Sequence, residues 1–149
     1  MKFGKRQACL VMMVAALAAC SGKDPGRPDA AAQARAVLSL QRQIASIAGQ
    51  ANQASPAAVD PDTRLDGAKA GPGLKLTTTY TLVNSEANGD TSATFESKLA
   101  PVIRKNSCEN PELRPLIDQG VVVVLEYHGG KGEPIGTVSV NRAACAGVK

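Results

Sequence analysis

Cysteine and histidine are the residues of this chain whose types and spacing bear most directly on chemistry. The 149 residues contain four cysteines, Cys9, Cys20, Cys108 and Cys145, and a single histidine, His128. A zinc site needs grouped ligands, and a redox-active pair uses a C-x-x-C spacing at the start of a helix. The chain has neither pattern, so we predict no metal site and no cofactor.

His128 is the only imidazole that a Ser-His-Asp site could use as its base. It stands beside Gly129 and Gly130 in a predicted hairpin tip, where a solvated side chain is expected. No G-x-S-x-G elbow presents a serine, and Gly129–Gly132 lacks the strand-loop-helix frame of a phosphate-binding loop. We therefore predict no catalytic residue. A periplasmic hydrolase or redox accessory with an unrecognised site is the alternative hypothesis.

Residues 1–19 have the organisation of a signal peptide. Met1–Arg6 is positively charged, and Ala8–Ala19 is a run of twelve apolar or small residues. That run is shorter than the roughly 20 residues that span a bilayer. The segment holds three of the 17 basic residues and none of the 13 acidic ones, so the remaining side chains carry a formal +1. A nearly neutral domain without tryptophan argues against binding to nucleic acid.

The cleavage region resembles the lipobox of bacterial lipoproteins. It reads Leu17-Ala18-Ala19-Cys20, in which small residues admit a peptidase and the Cys20 thiol accepts a diacylglyceryl group. Two or three acyl chains anchor a protein durably. The resemblance implies a lipid-anchored envelope protein, and Ser21 in place of aspartate favours the outer membrane, facing the periplasm, over the inner membrane.

Export also determines what we expect of the other cysteines. Cys9 lies in the leader and Cys20 would be lipidated, which leaves Cys108 and Cys145 in an oxidising compartment. Thiols in that environment normally form disulfides. We predict a Cys108–Cys145 disulfide in preference to a redox-active pair.

A tether and a helix follow the anchor. Residues 20–28 contain two glycines and two prolines, and they predict a short flexible tether. Asp29 can cap an amphipathic helix over residues 29–54, although glycine, asparagine, serine and prolines in 49–62 indicate a loop. The helix stripe consists of Val37, Leu40, Ile44 and Ile47. It either packs on the domain or contacts a partner or its own copy.

Residues 62–149 predict a small α+β domain. We expect about four antiparallel strands in ββααββ order, with the helices packed on one face of the sheet. The predicted strands start at Thr63, Leu74, Val121 and Ile135, and the predicted helices at Ser92 and Asn110.

Alternation along the second of these strands separates two faces. Leu74, Leu76, Thr78, Tyr80 and Leu82 share the more apolar face, opposite Lys75, Thr77, Thr79 and Thr81. In the first helix of this domain Phe95, Leu99, Val102 and Ile103 share one side, and Pro101 should kink or end that helix.

The domain resembles a group of small exported bacterial proteins that contain a disulfide and have no assigned activity. The residues that carry the resemblance are Thr63-Arg64-Leu65-Asp66, Gly71-Pro72-Gly73, Tyr80-Thr81-Leu82, Cys108 to Leu113, Gly120, Tyr127, Ile135-Gly136 and Cys145. The resemblance implies compartment, disulfide and fold, and no catalytic residue.

The leading hypothesis is a non-enzymatic protein with a binding, assembly or structural role at the membrane surface. Its partner would be another envelope protein of unknown identity. The candidate binding faces are the threonines Thr77, Thr79 and Thr81, the helix stripe, and the sheet edge near Arg64. Arg64 and Asp66 are otherwise expected to form a surface ion pair.

Overall fold

The computed structural model describes residues 29–148. Five helices, α1 to α5, and five strands, β1 to β5, alternate with short loops. The bounds are α1 Ala30–Ala54, β1 Ala57–Ala58, β2 Thr63–Gly71, β3 Lys75–Leu82, α2 Gly89–Thr94, α3 Ala100–Glu109, α4 Arg114–Asp118, β4 Val122–Gly129, β5 Pro134–Val140 and α5 Arg142–Cys145. This is the predicted α+β class, with the helices on one side of the sheet.

The sheet has five strands in the order β1-β2-β3-β4-β5. The expectation of about four antiparallel strands was incomplete, because β3 and β4 pair in parallel and the two-residue β1 adds an edge. A parallel pair needs a long crossover connection, which residues 83–121 supply as helices. The parallel pair lies in the middle of the sheet and brings Tyr80 beside Tyr127.

Helix α1 begins where the sequence predicts, since the Asp29 carboxylate accepts a hydrogen bond from the Ala32 N–H at 2.6 Å. It continues to Ala54, so the predicted loop over 49–62 was wrong in its first part. Packing of the helix against β2 outweighs the low helix propensity of Gly49 and Asn52.

Helix α2 starts at Gly89, because the Asn88 side chain caps the Thr91 N–H at 2.8 Å. The predicted cap at Ser92 was therefore wrong. Pro101 does not end the helix either: a π-helical turn over Phe95–Leu99 joins α2 to α3. The wider turn accommodates a residue that has no N–H to donate.

The core lies between the sheet and the helices. Its largest fully buried side chain is Phe95, which packs so closely on β5 that a Cβ at Gly136 would overlap its ring. Leu76 is 2% exposed, which confirms the predicted apolar face of β3. Of the three residues predicted to share a helix side with Phe95, Leu99 and Val102 are exposed.

The Cys108–Cys145 disulfide is present, with the two Cα atoms 5.4 Å apart. It joins the end of α3 to α5, which follows the last strand. Both cysteines are 1% exposed, so the bond lies inside the core.

Asn52 closes part of the outer edge of β2. Its amide nitrogen donates to the Ala68 carbonyl at 2.9 Å, and its amide oxygen accepts from the Ala68 N–H at 2.8 Å. A Cβ at Gly67 would lie 2.8 Å from that oxygen, so glycine permits the close approach. The side chain takes the place of a neighbouring strand.

Replacement of Asn52 by alanine is expected to lower the free energy of unfolding by about 2 kcal/mol. The reason is that two part-buried backbone groups of Ala68 lose their partner. Urea unfolding followed by circular dichroism measures the change. Gln53→Ala, at the exposed neighbouring position, is the control and should change stability by less than about 0.5 kcal/mol. Equal stability of Asn52→Ala and Gln53→Ala would contradict the role of the amide.

Candidate functional site

A groove runs across the helical face of the sheet, above β3 and β4. It has a volume of about 340 Å³. Its lining residues are Val59, Tyr80, Ile103, Asn106, Ser107, Asn110, Leu113, Leu125 and Tyr127. The groove therefore brings together the turn after β1, the two central strands, α3 and the segment before α4.

Two tyrosines form the floor of the groove. The rings of Tyr80 and Tyr127 stack with their centroids 5.2 Å apart and their planes at 18°. Phe95 supports Tyr127 from the core, with centroids 5.1 Å apart. Burial, with smaller contributions from Tyr80 and Asp60, raises the pKa of Tyr127 to about 12. The phenol is thus neutral at physiological pH and offers a flat apolar surface.

The polar residues of the groove wall are largely engaged within the wall. The Ser107 hydroxyl donates to the Ile103 carbonyl at 2.8 Å. The Asn110 side-chain oxygen accepts the N–H groups of Glu112 and Leu113 at 2.8 and 3.0 Å, which fixes the turn before α4. Val59, on the opposite wall, is 60% exposed. This arrangement suits apolar side chains of a bound segment.

The opposite face of the sheet is open and polar. Arg64 Nε lies 2.6 Å from Asp66 Oδ1, which confirms the expected ion pair. The Thr81 hydroxyl donates to Asp66 Oδ2 at 2.5 Å. Burial alone would raise the pKa of Asp66, but the hydrogen bonds from Thr81 and Arg64 outweigh it and lower that pKa. The Asp66 carboxylate therefore holds β2 to β3.

The other predicted polar residues lie on this same open face. Thr81 pairs with His128, and Thr79 donates to Glu126 at 3.4 Å. His128 is not at the hairpin tip as expected but within β4, where the strand continues to Gly129. Its Nδ1 lies 3.0 Å from the Gly132 carbonyl oxygen. The groove lining therefore includes neither His128 nor any other residue that the sequence analysis weighed as a candidate for catalysis.

Metal-ligating side chains are also dispersed. Across residues 29–148, no three side chains of histidine, cysteine, aspartate or glutamate come close enough to hold an ion. The same segment contains no helix with the length and apolarity required to cross a membrane.

The helix stripe is mostly used for packing. Leu40 and Ile44 are buried at 8% and 1% exposure, and Ile47 is partly buried. Val37 is 42% exposed and belongs to the first ten residues of α1, all of which are exposed. The interpretation that the stripe packs on the domain therefore holds for its C-terminal three residues.

Sequence reasoning missed the groove itself. Tyr80 and Tyr127 are the only tyrosines of the chain, and both lie in strands that were predicted. Their position on one face of adjacent strands depends on the parallel register, which alternation within a strand does not reveal. Cys20, the predicted lipidation site, lies outside the described residues, as do the signal peptide and the tether.

Solved structures with this fold include three exported or secretion-related proteins. A protein of Pseudomonas aeruginosa described as secreted has a TM-score of 0.61 and 15% identity, over 74% of this chain and 96% of that one. The type 2 secretion system pilotin EpsS of Vibrio vulnificus has a TM-score of 0.61 and 15% identity, over 75% and 96% of the two chains. The type II secretion system pilotin AspS of Vibrio cholerae has 0.59 and 14%, over 76% and 99%.

No family model matches this chain, and no curated protein matches its sequence. Identities of 14 to 15% establish a shared fold. They do not establish a shared function.

Proposed function

We propose that this protein is a lipid-anchored envelope protein that acts by binding, as an assembly factor comparable to a pilotin. The groove over Tyr80 and Tyr127 holds an apolar segment of a second envelope protein. The observation that carries this proposal is a groove with an aromatic floor and aliphatic wall residues, in which the polar side chains of Ser107 and Asn110 are already hydrogen-bonded within the wall. Two solved structures with the same fold are pilotins of type II secretion systems, which supports the same class of function.

The groove favours a segment with several apolar side chains in contact with it at once. Stacked tyrosines supply a flat surface at low conformational cost, and Ile103, Leu113 and Val59 supply aliphatic walls. An amphipathic helix or a short extended segment meets these requirements.

The anchor and α1 would set where the partner is met. The predicted tether of residues 21–28 would reach about 15 Å. The ten exposed residues at the start of α1 add about 15 Å of helix at 1.5 Å per residue. A domain held at this range from the membrane meets partners that also lie near the membrane.

Charge placed on both walls of the groove is expected to abolish partner binding in cells. The double variant Val59→Glu, Asn106→Glu changes two exposed lining residues, so the fold is retained. Binding of an apolar segment would then bury two unpaired carboxylates, which is costly. A photo-crosslinking residue is placed at position 104, next to the lining residue Ile103, in this variant and in the wild type, and mass spectrometry identifies the adduct. The same envelope-protein adduct should form with the wild type and be lost in the variant.

The matched control is Ala58→Glu, Ala93→Glu, which adds the same charge at exposed positions outside the groove lining. In cells that lack the chromosomal gene, the crosslinked protein should fail to reach its normal amount in the envelope. The wild type and the control should restore that amount, and the groove variant should not. Restoration by the groove variant at the wild-type level would contradict the proposal.

A further inference from the structure

The two edges of the sheet differ in how well they are protected from pairing with another strand. At the β2 edge, β1 pairs with Arg64 and Leu65, and Asn52 bonds to both backbone groups of Ala68. The next residue, Lys69, is exposed and charged. Covering segments and lysines are the usual means by which proteins prevent edge strands from pairing with other chains.

The β5 edge has few of these protections. β5 is last in the strand order, and Pro134–Val140 contains no charged residue. Its proline is its first residue, next to the bulge opposite Tyr127 and His128, so the rest of the strand is regular. Within residues 29–148, no backbone hydrogen bond from another element reaches Thr137 or Ser139.

Hydrogen bonds of β4 show which groups of β5 point outward. The Val122 N–H donates to Leu74 ahead of β3, and the Gly129 N–H donates to Glu133 ahead of β5. Because N–H directions alternate along a strand, the odd-numbered residues of β4 bond toward β5. Their partners are Gly136, Val138 and Val140. The backbone groups of Thr137 and Ser139 therefore point away from the sheet, and both residues are exposed.

We propose that β5 pairs with β5 of a second copy of this chain, antiparallel across a two-fold axis at Val138, to form a continuous ten-stranded sheet. This register places Thr137 of each copy opposite Ser139 of the other. Both residues have outward N–H and carbonyl groups, so each pair exchanges two hydrogen bonds. Their hydroxyl side chains meet on the open face, and no charges are opposed.

Apolar side chains beside β5 favour a second copy over an unrelated peptide. Helix α3 packs on β5, and Val102 on α3 is 53% exposed. Leu99, 43% exposed, lines the same cleft as Ile135 of β5. A two-fold axis perpendicular to the sheet would place the α3 helices of both copies on the same side of the joined sheet, and we expect these apolar residues to be covered there. A single added strand would leave them uncovered.

The test is the oligomeric state of the membrane-extracted full protein in density-matched detergent, by sedimentation equilibrium over a range of concentrations. We expect a monomer–dimer equilibrium for the wild type. Ser139→Pro should raise the dimer Kd at least about tenfold, since the ring removes an outward N–H and leaves the bonds to β4 intact. Ser139→Ala keeps that N–H and should dimerise as the wild type does.

A pair of charge variants makes the result independent of any effect of proline on folding. Thr137→Lys, Ser139→Lys and Thr137→Glu, Ser139→Glu should each be monomeric, because like charges would stand opposite in every cross-strand pair. An equimolar mixture of the two should form heterodimers. A wild type that stays monomeric throughout, or charge variants that dimerise alone as the wild type does, would overturn the proposal, as would a mixture that stays monomeric.

Discussion

Replacement of Cys20 by serine is expected to move essentially all of the protein out of the membrane fraction or leave it as the unprocessed precursor. The expectation follows from the order of a positive segment, a twelve-residue apolar run and Leu17-Ala18-Ala19-Cys20. A serine hydroxyl does not replace the thiol that accepts the diacylglyceryl group. Each buried methylene contributes about 0.8 kcal/mol, so loss of two or three acyl chains removes the whole anchor.

Fractionation of cells, combined with intact-mass analysis of the purified protein, measures this effect. Cys9→Ser provides a matched control, because it changes a cysteine of the same leader and should leave both location and mass of the mature protein unchanged. Separation of inner and outer membranes on a density gradient then tests the predicted outer-membrane location. A mature wild-type protein that lacks acyl mass would exclude the anchor.

Removal of the disulfide is expected to lower the free energy of unfolding by about 4 kcal/mol. The bond closes a sequence separation of 37 residues, and the chain-entropy account of cross-links gives that magnitude for a loop of this length. Small domains have total stabilities of about 5 to 15 kcal/mol, so the loss is a large share. The Cys108→Ala, Cys145→Ala variant, unfolded in urea beside the oxidised wild type, measures the difference.

The reduced wild type is the control for packing, because it retains both sulfur atoms in the core. It should lose most of the same stability as the double variant, whereas reductant should have no effect on the variant itself. Alkylation of both cysteines in protein purified without reductant would show that the bond does not form in the cell. A loss of unfolding free energy below about 1 kcal/mol in the double variant would contradict the expected stabilisation by the cross-link.

The sequence by itself determined those features that depend on local chemistry. Alternation in Leu74–Leu82 predicts the buried face of β3 because side chains of a strand alternate between its two faces. Asp29 marks the start of α1. The Cys108–Cys145 pair follows because these are the two cysteines that remain in an oxidising compartment once Cys9 and Cys20 are assigned to the leader and the lipobox. The lipobox is likewise a local signal, and lipidation at Cys20 stays a prediction. So does the resemblance to a group of small exported proteins.

Predictions from local sequence were wrong where contacts with residues distant in the chain determine the conformation. Pro101 would break an isolated helix, but Phe95 is held in the core at 1% exposure, and the π-helical turn keeps α3 joined to it. Asn52 is a poor helix former, yet its hydrogen bonds to Ala68 are made only because α1 lies beside β2. In both cases packing supplies free energy that propensity does not contain.

Only the tertiary structure decided the groove and the free edge of β5. The parallel register of β3 and β4 places Tyr80 beside Tyr127, 47 positions further along the chain, and the turn after β1 supplies Val59 to the opposite wall. Strand order leaves β5 at the outside and aims the backbone groups of Thr137 and Ser139 away from the sheet. Periodicity tells which residues of one element share a face, whereas a binding surface depends on which elements lie next to each other, and long-range packing determines that arrangement.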